Sequence, residues 1–229
     1  MYVILDTQAI HNDFHLRNTH TNELLTEAPT RDLVVCVPEV VVREMVADFR
    51  EDTVNKTVKR LQDVYQEANH LQLLVSPDIP AIDLAAEVRA YEKRFRALLK
   101  KRKVKVLLLP SITVEQLLER GISRRKPFKK DGQGMFDALI WESVVELWRQ
   151  DPNQQYALIT EDKDYADGEG AQIHPDLLAD LGAVGIEARI TMSAADRDLP
   201  RTLGSYPELH KSIQRFNEDW SNRSLNKTG

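Results

Sequence analysis

Disulfides and long apolar runs are both missing from this sequence, which excludes two large classes of protein. Cys36 is the only cysteine, so neither a disulfide framework nor a zinc site built from several cysteines can form. The longest apolar run, residues 104–109, contains Lys105 and is far too short to cross a bilayer. The opening residues, MYVILD, show neither a basic segment nor a cleavage site. We therefore expect no membrane partner, no secretion signal and a cytoplasmic setting.

Net positive charge is missing as well, since the formal net charge is −5 at pH 7. This balance argues against a protein that coats nucleic acid without specificity. It does not exclude a nuclease, because local charge decides binding more than the total does. Two basic runs lie in the middle of the chain: Lys100, Lys101, Arg102, Lys103 and Lys105, then Arg120, Arg124, Arg125, Lys126, Lys129 and Lys130.

Short β-branched runs alternate with amphipathic segments along the chain. The apolar runs predict strands at residues 2–5, 33–37, 104–109, 156–160 and 186–190. Spacings of three and four predict helices at about 39–69, 84–98, 113–120, 136–148 and 175–181. This alternation predicts an α/β domain whose central parallel sheet is flanked by helices. We place this domain at 1–200, with a helical insertion at about 50–105, and predict a peripheral helix and tail at 201–229.

Acidic residues occupy equivalent places around the predicted sheet. Asp6 follows the first strand directly, and Asp162 and Asp164 come just after the strand at 156–160. Ligands of open parallel sheets bind beyond the carboxyl ends of the strands, so these acids are expected on one rim. Glu44 and Asp137 lie on helices that start near the same rim.

Each acid taken alone has an ordinary explanation. An Asp after a strand is a common turn former or helix cap, and Glu44 suits a solvated helix surface. Asp137 is harder to explain, because Phe136, Leu139 and Ile140 surround it and an unpaired carboxylate among apolar groups is costly. Several converging acids would repel one another without a cation. Hard divalent ions that prefer oxygen ligands, Mg²⁺ or Mn²⁺, are the natural partners.

Four segments, taken in order, resemble the PIN-domain nuclease superfamily. Residues 4–8, ILDTQ, are similar to its hydrophobic-Asp-Thr/Ser-Asn opening, and residues 38–44, PEVVVRE, to its P-x-x-V-x-x-E helix. Residues 134–142, GMFDALIWE, resemble its D-A-x-I helix in the form of a bacterial PIN-like subgroup once known only as a domain of unknown function. Residues 158–165, LITEDKDY, resemble its T-x-D-x-D-F motif. The resemblance spans roughly residues 2–190.

The resemblance implies a Rossmann-like three-layer α/β fold and metal-dependent hydrolysis of phosphodiester bonds. It implies Asp6, Glu44, Asp137 and Asp162 as ligands of Mg²⁺ or Mn²⁺, or of water bound to the ion, with Asp164 as a supporting catalytic acid. The choice between Asp162 and Asp164 stays open, because family members differ in which of the two is present. The implied products carry a 5′-phosphate and a 3′-hydroxyl. RNA is favoured over DNA as the substrate, and a toxin or defence role is compatible with the subgroup.

The second basic run forms a predicted loop, residues 121–134, that leads straight into the Asp137 helix. Cations at this place are well situated to hold phosphates, so Arg124, Arg125, Lys129 and Lys130 are predicted to bind substrate. A solvated loop without a ligand is the alternative. No Walker spacing is present. The sequence departs from the family pattern just before Asp137, where Met135 and Phe136 stand in place of the usual basic or small residue.

Three alternatives to a PIN-domain ribonuclease make different demands on the sequence. A haloacid-dehalogenase-type phosphatase needs a D-x-D pair after the first strand, and this chain has Asp6-Thr-Gln8. A 5′-flap DNA nuclease usually carries more acids and a longer helical arch. A catalytically inactive PIN-fold module that binds RNA or protein stays open, although the full set of acids argues against it. Dimerisation is common in the family, so a homodimer is also left open.

Overall fold

A computed structural model describes residues 1–11, 13–70, 82–160, 162–167, 173–182 and 190–193. Five strands form one sheet in the order β3-β2-β1-β4-β5, and every neighbouring pair is parallel. The strands are β1 Tyr2–Leu5, β2 Val34–Pro38, β3 Lys105–Leu107, β4 Tyr156–Ile159 and β5 Ile190–Ser193. The predicted α/β fold with a parallel sheet is therefore confirmed. Strand β1 lies at the centre of the sheet, between β2 and β4.

The helices connect these strands and match most of the predicted segments. They are α1 Thr7–Ile10, α2 Thr19–Glu27, α3 Glu39–Asp48, α4 Lys56–His70, α5 Leu84–Lys101, α6 Val114–Ile122, α7 Met135–Gln150 and α8 Pro175–Asp180. Short 3₁₀ helices occupy Ala28–Arg31 and Lys163–Tyr165. The expected capping box opens α6, where Thr113 and Gln116 bond reciprocally. No helix in the described ranges is long and apolar enough to cross a membrane.

One feature differs from the sequence prediction, and two predicted segments lie wholly or partly outside the described ranges. The single helix expected over about 39–69 is divided into α3 and α4 by a π-helical segment, Phe49–Asn55. At its start the ring of Phe49 stacks on Tyr91 of α5, with centroids 4.0 Å apart. The last strand was expected at 186–190; residues 183–189 lie outside the described ranges, and β5 is described from Ile190 to Ser193. The predicted C-terminal helix and tail at 201–229 lie outside the described ranges as well.

Alternate strand residues point to opposite faces of the sheet, and each face has its own core. On β1, Val3 and Leu5 join a cluster with residues of α3 and α5, whereas Ile4 joins a cluster with residues of α7 and α8. The predicted insertion at about 50–105 contains α4 and α5, of which α5 buries Tyr91 and Phe95 in the first core. Helices thus cover both faces of the sheet, and the loops at the carboxyl ends of the strands are left to form a site.

Candidate active site

Asp6 lies at the end of β1, at the centre of the sheet. It caps α1: its Oδ1 accepts a hydrogen bond from the Thr7 backbone N–H at 2.6 Å, and its Oδ2 accepts one from the Thr160 hydroxyl. Asp6 is only 2% exposed. Burial raises the pKa of Asp6 to about 7; the hydrogen bonds from Thr160 and Thr7 oppose this rise, and the charges of Asp137 and Glu44 add to it. The buried acid therefore has donors but no cation beside it among the described residues.

Glu44 comes from α3, which begins directly after β2. Its Oε2 accepts a hydrogen bond from the Thr7 hydroxyl at 2.5 Å, so Thr7 holds Glu44 with its side chain and Asp6 with its backbone. Burial raises the pKa of Glu44, the Thr7 hydrogen bond lowers it, and the charges of Asp137 and Asp48 raise it further. Thr7 thus fixes the relative positions of two acids that lie 38 residues apart in the chain.

Asp137 stands in the first turn of α7. No hydrogen bond to its carboxylate is present among the described residues, although the N-terminal end of a helix favours negative charge. Burial raises the pKa of Asp137 to about 6, the charge of Asp162 raises it further, Lys129 lowers it and Asp164 raises it. The backbone carbonyl of Asp137 accepts a hydrogen bond from the buried Tyr165 hydroxyl at 2.9 Å, which ties α7 to the loop after β4.

Asp162 and Asp164 lie in the loop after β4. Asp162 caps the 3₁₀ helix through a hydrogen bond from the Asp164 backbone N–H to its Oδ1, at 2.8 Å. The backbone N–H of Asp162 donates to the Thr160 hydroxyl at 3.0 Å, and that hydroxyl in turn donates to Asp6. The loop is therefore linked directly to the acid at the end of β1.

Two lysines of the basic loop reach this second pair of acids. The Nζ of Lys126 lies 2.5 Å from Asp164, and the Nζ of Lys129 lies 3.2 Å from Asp164 and 3.4 Å from Asp162. Burial raises the pKa of Asp164, but the hydrogen bonds and charges of the two lysines outweigh it, so that this pKa lies below its usual value. Asp164 is thus already paired, whereas Asp6, Glu44 and Asp137 are not paired with a cation within the described part of the chain.

The five predicted acids are electrostatically coupled and fall into two overlapping groups. The charge of Asp137 raises the pKa of Asp6 and of Glu44, and the charge of Glu44 also raises that of Asp6. The pKa of Asp137 is raised in turn by Asp162 and Asp164. In the described residues, the side chains as they lie do not bring three or more acids, His or Cys together around one metal position. The donor set nevertheless fits a hard divalent ion, because its members are carboxylates and no described cation forms a salt bridge with Asp6, Glu44 or Asp137.

The four predicted substrate-binding cations are placed differently from one another. Lys129 lies in the acidic pocket, Arg124 and Lys130 are exposed, and Arg125 pairs with Asp180 at 2.8 Å. Three contributors were absent from the sequence-based site: Lys126, Thr7 and Thr160. Both threonines are part of the motifs quoted above, as the residue after Asp6 and as the first residue of T-x-D-x-D, so the motifs held the signal for them.

Buried side chains anchor the basic loop to the helices beneath it. Arg120 is buried, and its guanidinium donates to the Lys126 backbone carbonyl and, at 2.6 Å, to Asp180 of α8. The Lys126 backbone N–H donates to Asp176 at 3.0 Å, and Trp141 of α7 donates to Asp180 at 3.0 Å. The loop that carries Lys126 and Lys129 is therefore held in place by partners from three helices.

Gly134, which precedes α7, is expected to be intolerant of substitution. Its φ is +111°, and a Cβ there would lie 2.7 Å from the Pro127 carbonyl oxygen. Gly134→Ala should lower the free energy of unfolding by about 2–3 kcal/mol, through backbone strain and this clash. Gly132→Ala is the matched control, since Gly132 has a φ of +85° with nothing within 4 Å of its Cβ, and should cost about 1 kcal/mol. Urea unfolding measures both; equal losses would contradict the close approach to Pro127.

Comparison with known proteins places this geometry in a family. A family model described as the PIN domain matches residues 3–165, which include β1 to β4 and all five acids. A search of curated proteins found no match. PIN domains are usually nucleases that act on nucleic acids and typically use divalent metal ions. Because the match covers most of the chain and the fold is a parallel α/β sheet, this chain belongs to the PIN domain family.

Proposed function

We propose that this protein is a metal-dependent nuclease that hydrolyses phosphodiester bonds, with RNA favoured over DNA. One observation supports the proposal: the buried Asp6 at the carboxyl end of the central strand feels the charges of Glu44 and Asp137, and no cation forms a salt bridge with any of the three among the described residues. Buried charge of one sign needs a counter-charge. In a PIN domain, a divalent ion that also contacts a substrate phosphate would supply this counter-charge.

Asp6, Glu44, Asp137 and Asp162 would hold Mg²⁺ or Mn²⁺, with Asp164 in support. Such an ion, when bound, supplies Lewis-acid stabilisation of phosphate oxygens and activation of water. The chain's own residues orient the acids: Thr7 fixes Asp6 and Glu44, and the Thr160 hydroxyl links Asp6 to the loop of Asp162. We further propose that the ion is bound mainly by the three acids without lysine partners, and that Asp162 contributes the remaining ligand.

Besides its contacts with Asp162 and Asp164, Lys129 is proposed to bind the substrate. Together with Arg124 and Lys130 it would hold the phosphates on either side of the scissile bond, because these cations lie in the loop that leads into Asp137. Arg125, which pairs with Asp180, would position the loop unless substrate draws it away. The residues and the cytoplasmic setting named here stay predictions, as do a homodimer and a toxin or defence role.

The direct test is cleavage of single-stranded RNA by the purified full chain. We expect cleavage with Mn²⁺ or Mg²⁺, complete loss of it with excess EDTA, and recovery when the metal is restored. The same assay on single-stranded DNA of the same sequence measures the preference for RNA. Faster cleavage of DNA would overturn that preference without affecting the nuclease assignment.

An inactive PIN-fold module that binds RNA or protein is the rival, and one observation favours it. Lys126 and Lys129 pair with Asp164 and Asp162, so two of the five acids already have cations. An enzyme and a binding module differ in a simple outcome: the module would bind RNA in the presence of Mn²⁺ and leave it intact. That result would replace the enzyme proposal by the module.

Lys129→Met should weaken substrate binding and strengthen metal binding at once. Losing a charge-assisted contact to phosphate is expected to raise KM about tenfold. Metal affinity should rise in the same variant, because Asp162 and Asp164 lose a competing cation. Isothermal titration with Mn²⁺ and steady-state kinetics report the two effects separately. Arg149→Met, in the last turn of α7 and about 18 Å along the helix from Asp137, is the matched control and should change neither.

A further inference from the structure

Phe136 is an exposed aromatic side chain beside the acidic pocket. It precedes Asp137 in the first turn of α7 and is 51% exposed. Of the aromatic residues whose burial the structure describes, it is the exposed one; the others are buried or half-buried. Packing in the core does not explain this side chain, since half of its surface faces solvent.

The helix geometry indicates which side of the pocket Phe136 occupies. Leu139 lies three residues further along α7, so the two side chains share one face of the helix. Leu139 packs against the core cluster that contains Val40 and Met45 of α3, and α3 and α7 are in contact. Phe136 therefore lies on the side of α7 that is turned towards α3, the helix that carries Glu44.

The cations lie on the other side of Asp137. Lys129 contacts Asp162 and Asp164 in the loop after β4, which places the positive charge towards β4. A phosphate held between the acids and Lys129 would leave the attached sugar and base directed to one edge of the pocket. At the α3 edge, a flat apolar ring with half of its surface free is suited to the face of a nucleobase.

We propose that Phe136 stacks on an unpaired nucleobase next to the scissile phosphate and so positions the substrate. This inference rests on the proposed nuclease function and adds a base-binding residue to the same site. A base in a duplex is already stacked and paired on both sides, so it cannot offer its face to Phe136 without being unstacked. Stacking on an aromatic side chain contributes about 1–3 kcal/mol per base, which corresponds to about 5- to 150-fold in affinity.

The experiment is a cycle that combines changes in the protein with changes in the substrate. A single-stranded RNA is prepared as a series in which one nucleotide at a time lacks its base. Binding is measured by fluorescence anisotropy with Ca²⁺ in place of Mg²⁺, and kcat and KM are measured with Mn²⁺. Wild type, Phe136→Ala, Phe136→Leu and Phe136→Trp are compared, with Leu118→Ala on the exposed face of α6 as the control.

We expect one position in the series at which loss of the base weakens binding by wild type about tenfold. Phe136→Ala should bind the intact strand about tenfold more weakly and should lose nothing further at that position. Phe136→Trp should restore tight binding, whereas Phe136→Leu, which keeps apolar surface but no ring, should not. Leu118→Ala should behave as wild type. Melting temperatures should stay unchanged, because an exposed side chain is being replaced.

Distinct outcomes separate failure of this inference from failure of the nuclease proposal. Cleavage by wild type together with equal base-dependence in wild type and Phe136→Ala would overturn stacking and leave the nuclease intact. Binding with the expected cycle but no cleavage would support stacking and overturn the nuclease. Equal cleavage of single strands and duplexes would also overturn the inference, and absence of any binding by wild type would overturn both.

Discussion

Replacing Asp137 with Asn is expected to reduce phosphodiester cleavage by about 10³-fold or more while the fold is retained. The Asp137 carboxylate is the acid that both groups of the pocket share, because Asp6 and Glu44 feel its charge from one side and it feels Asp162 and Asp164 from the other. The amide has nearly the same shape as the carboxylate but has no negative charge to offer a cation. Losing this one charge therefore weakens the whole pocket for a divalent ion.

The same substitution should make the metal-free protein more stable. Asp137 is partly buried, and no described residue donates a hydrogen bond to its carboxylate, so the charge is a cost in the absence of a cation. We expect a higher melting temperature for Asp137→Asn without metal, and a smaller rise on adding Mn²⁺ than wild type shows. Loss of activity through misfolding would instead lower the melting temperature.

Asp131→Asn is the matched control for Asp137→Asn. Asp131 lies in the same basic loop, is exposed, and accepts a hydrogen bond from the Gln133 backbone N–H that the Asn oxygen can also accept. Asp131→Asn removes the same formal charge close to α7 and leaves the five acids unchanged. Activity of this variant should match wild type. Activity of Asp137→Asn within twofold of wild type would remove Asp137 from the site and with it the proposed arrangement of acids.

Much of the fold could be predicted because both faces of the sheet are buried. The continuous apolar run of β1 ends at Asp6, and the observed strand has the predicted bounds. The sequence prediction misses the break between α3 and α4 because no Gly or Pro lies between Phe49 and Val58, although the spacing of four that ends at Phe49 resumes out of phase at Val58. At the break, Phe49 stacks on Tyr91. These residues lie 42 positions apart, and local periodicity does not encode such a contact.

The positions of Asp6, Asp162 and Asp164 at one rim could be predicted from sequence because strand ends fix them. Parallel strands bring Asp6 and the residues after β4 to one rim, whatever the loops do. The lysine partners of Asp162 and Asp164 depend instead on how the loop at 121–134 folds back. That path is set by the buried Arg120 and its long-range contact with Asp180, which a basic sequence run alone does not reveal.

The metal-free protein should become less stable as pH rises from about 4 to about 7. The pKa of Asp6 is about 7 in the folded state and that of Asp137 about 6, both above the ordinary value of 3.8. The folded state therefore binds protons more tightly than the unfolded state between these values. Stability from these groups is present at lower pH and is lost as they ionise. For Asp6 alone the shift corresponds to about 4 kcal/mol as an upper limit, of which about 2 kcal/mol is lost above about pH 5.5.

Urea unfolding of the metal-free protein between about pH 5.5 and 8 measures this loss. Asp164 does not mask it, because its lowered pKa affects stability only at a pH below its ordinary value. Asp6→Asn should flatten the profile most, Asp137→Asn should flatten it less, and Asp131→Asn should leave the slope unchanged. A slope that survives in both pocket variants would mean that other groups titrate over this range.

A bound divalent metal should stabilise the folded protein most at a pH at which the acids are ionised. Saturating Mg²⁺ or Mn²⁺ binds the charged carboxylates of the folded state, so it should offset the loss of stability at about pH 8 and contribute little at about pH 5.5. The stability of the metal-loaded protein should then be nearly independent of pH over this interval. The same stabilisation by metal at both ends would contradict binding to acids with raised pKa values. Comparing wild type with Asp6→Asn at the two ends assigns the effect to the pocket at the end of β1.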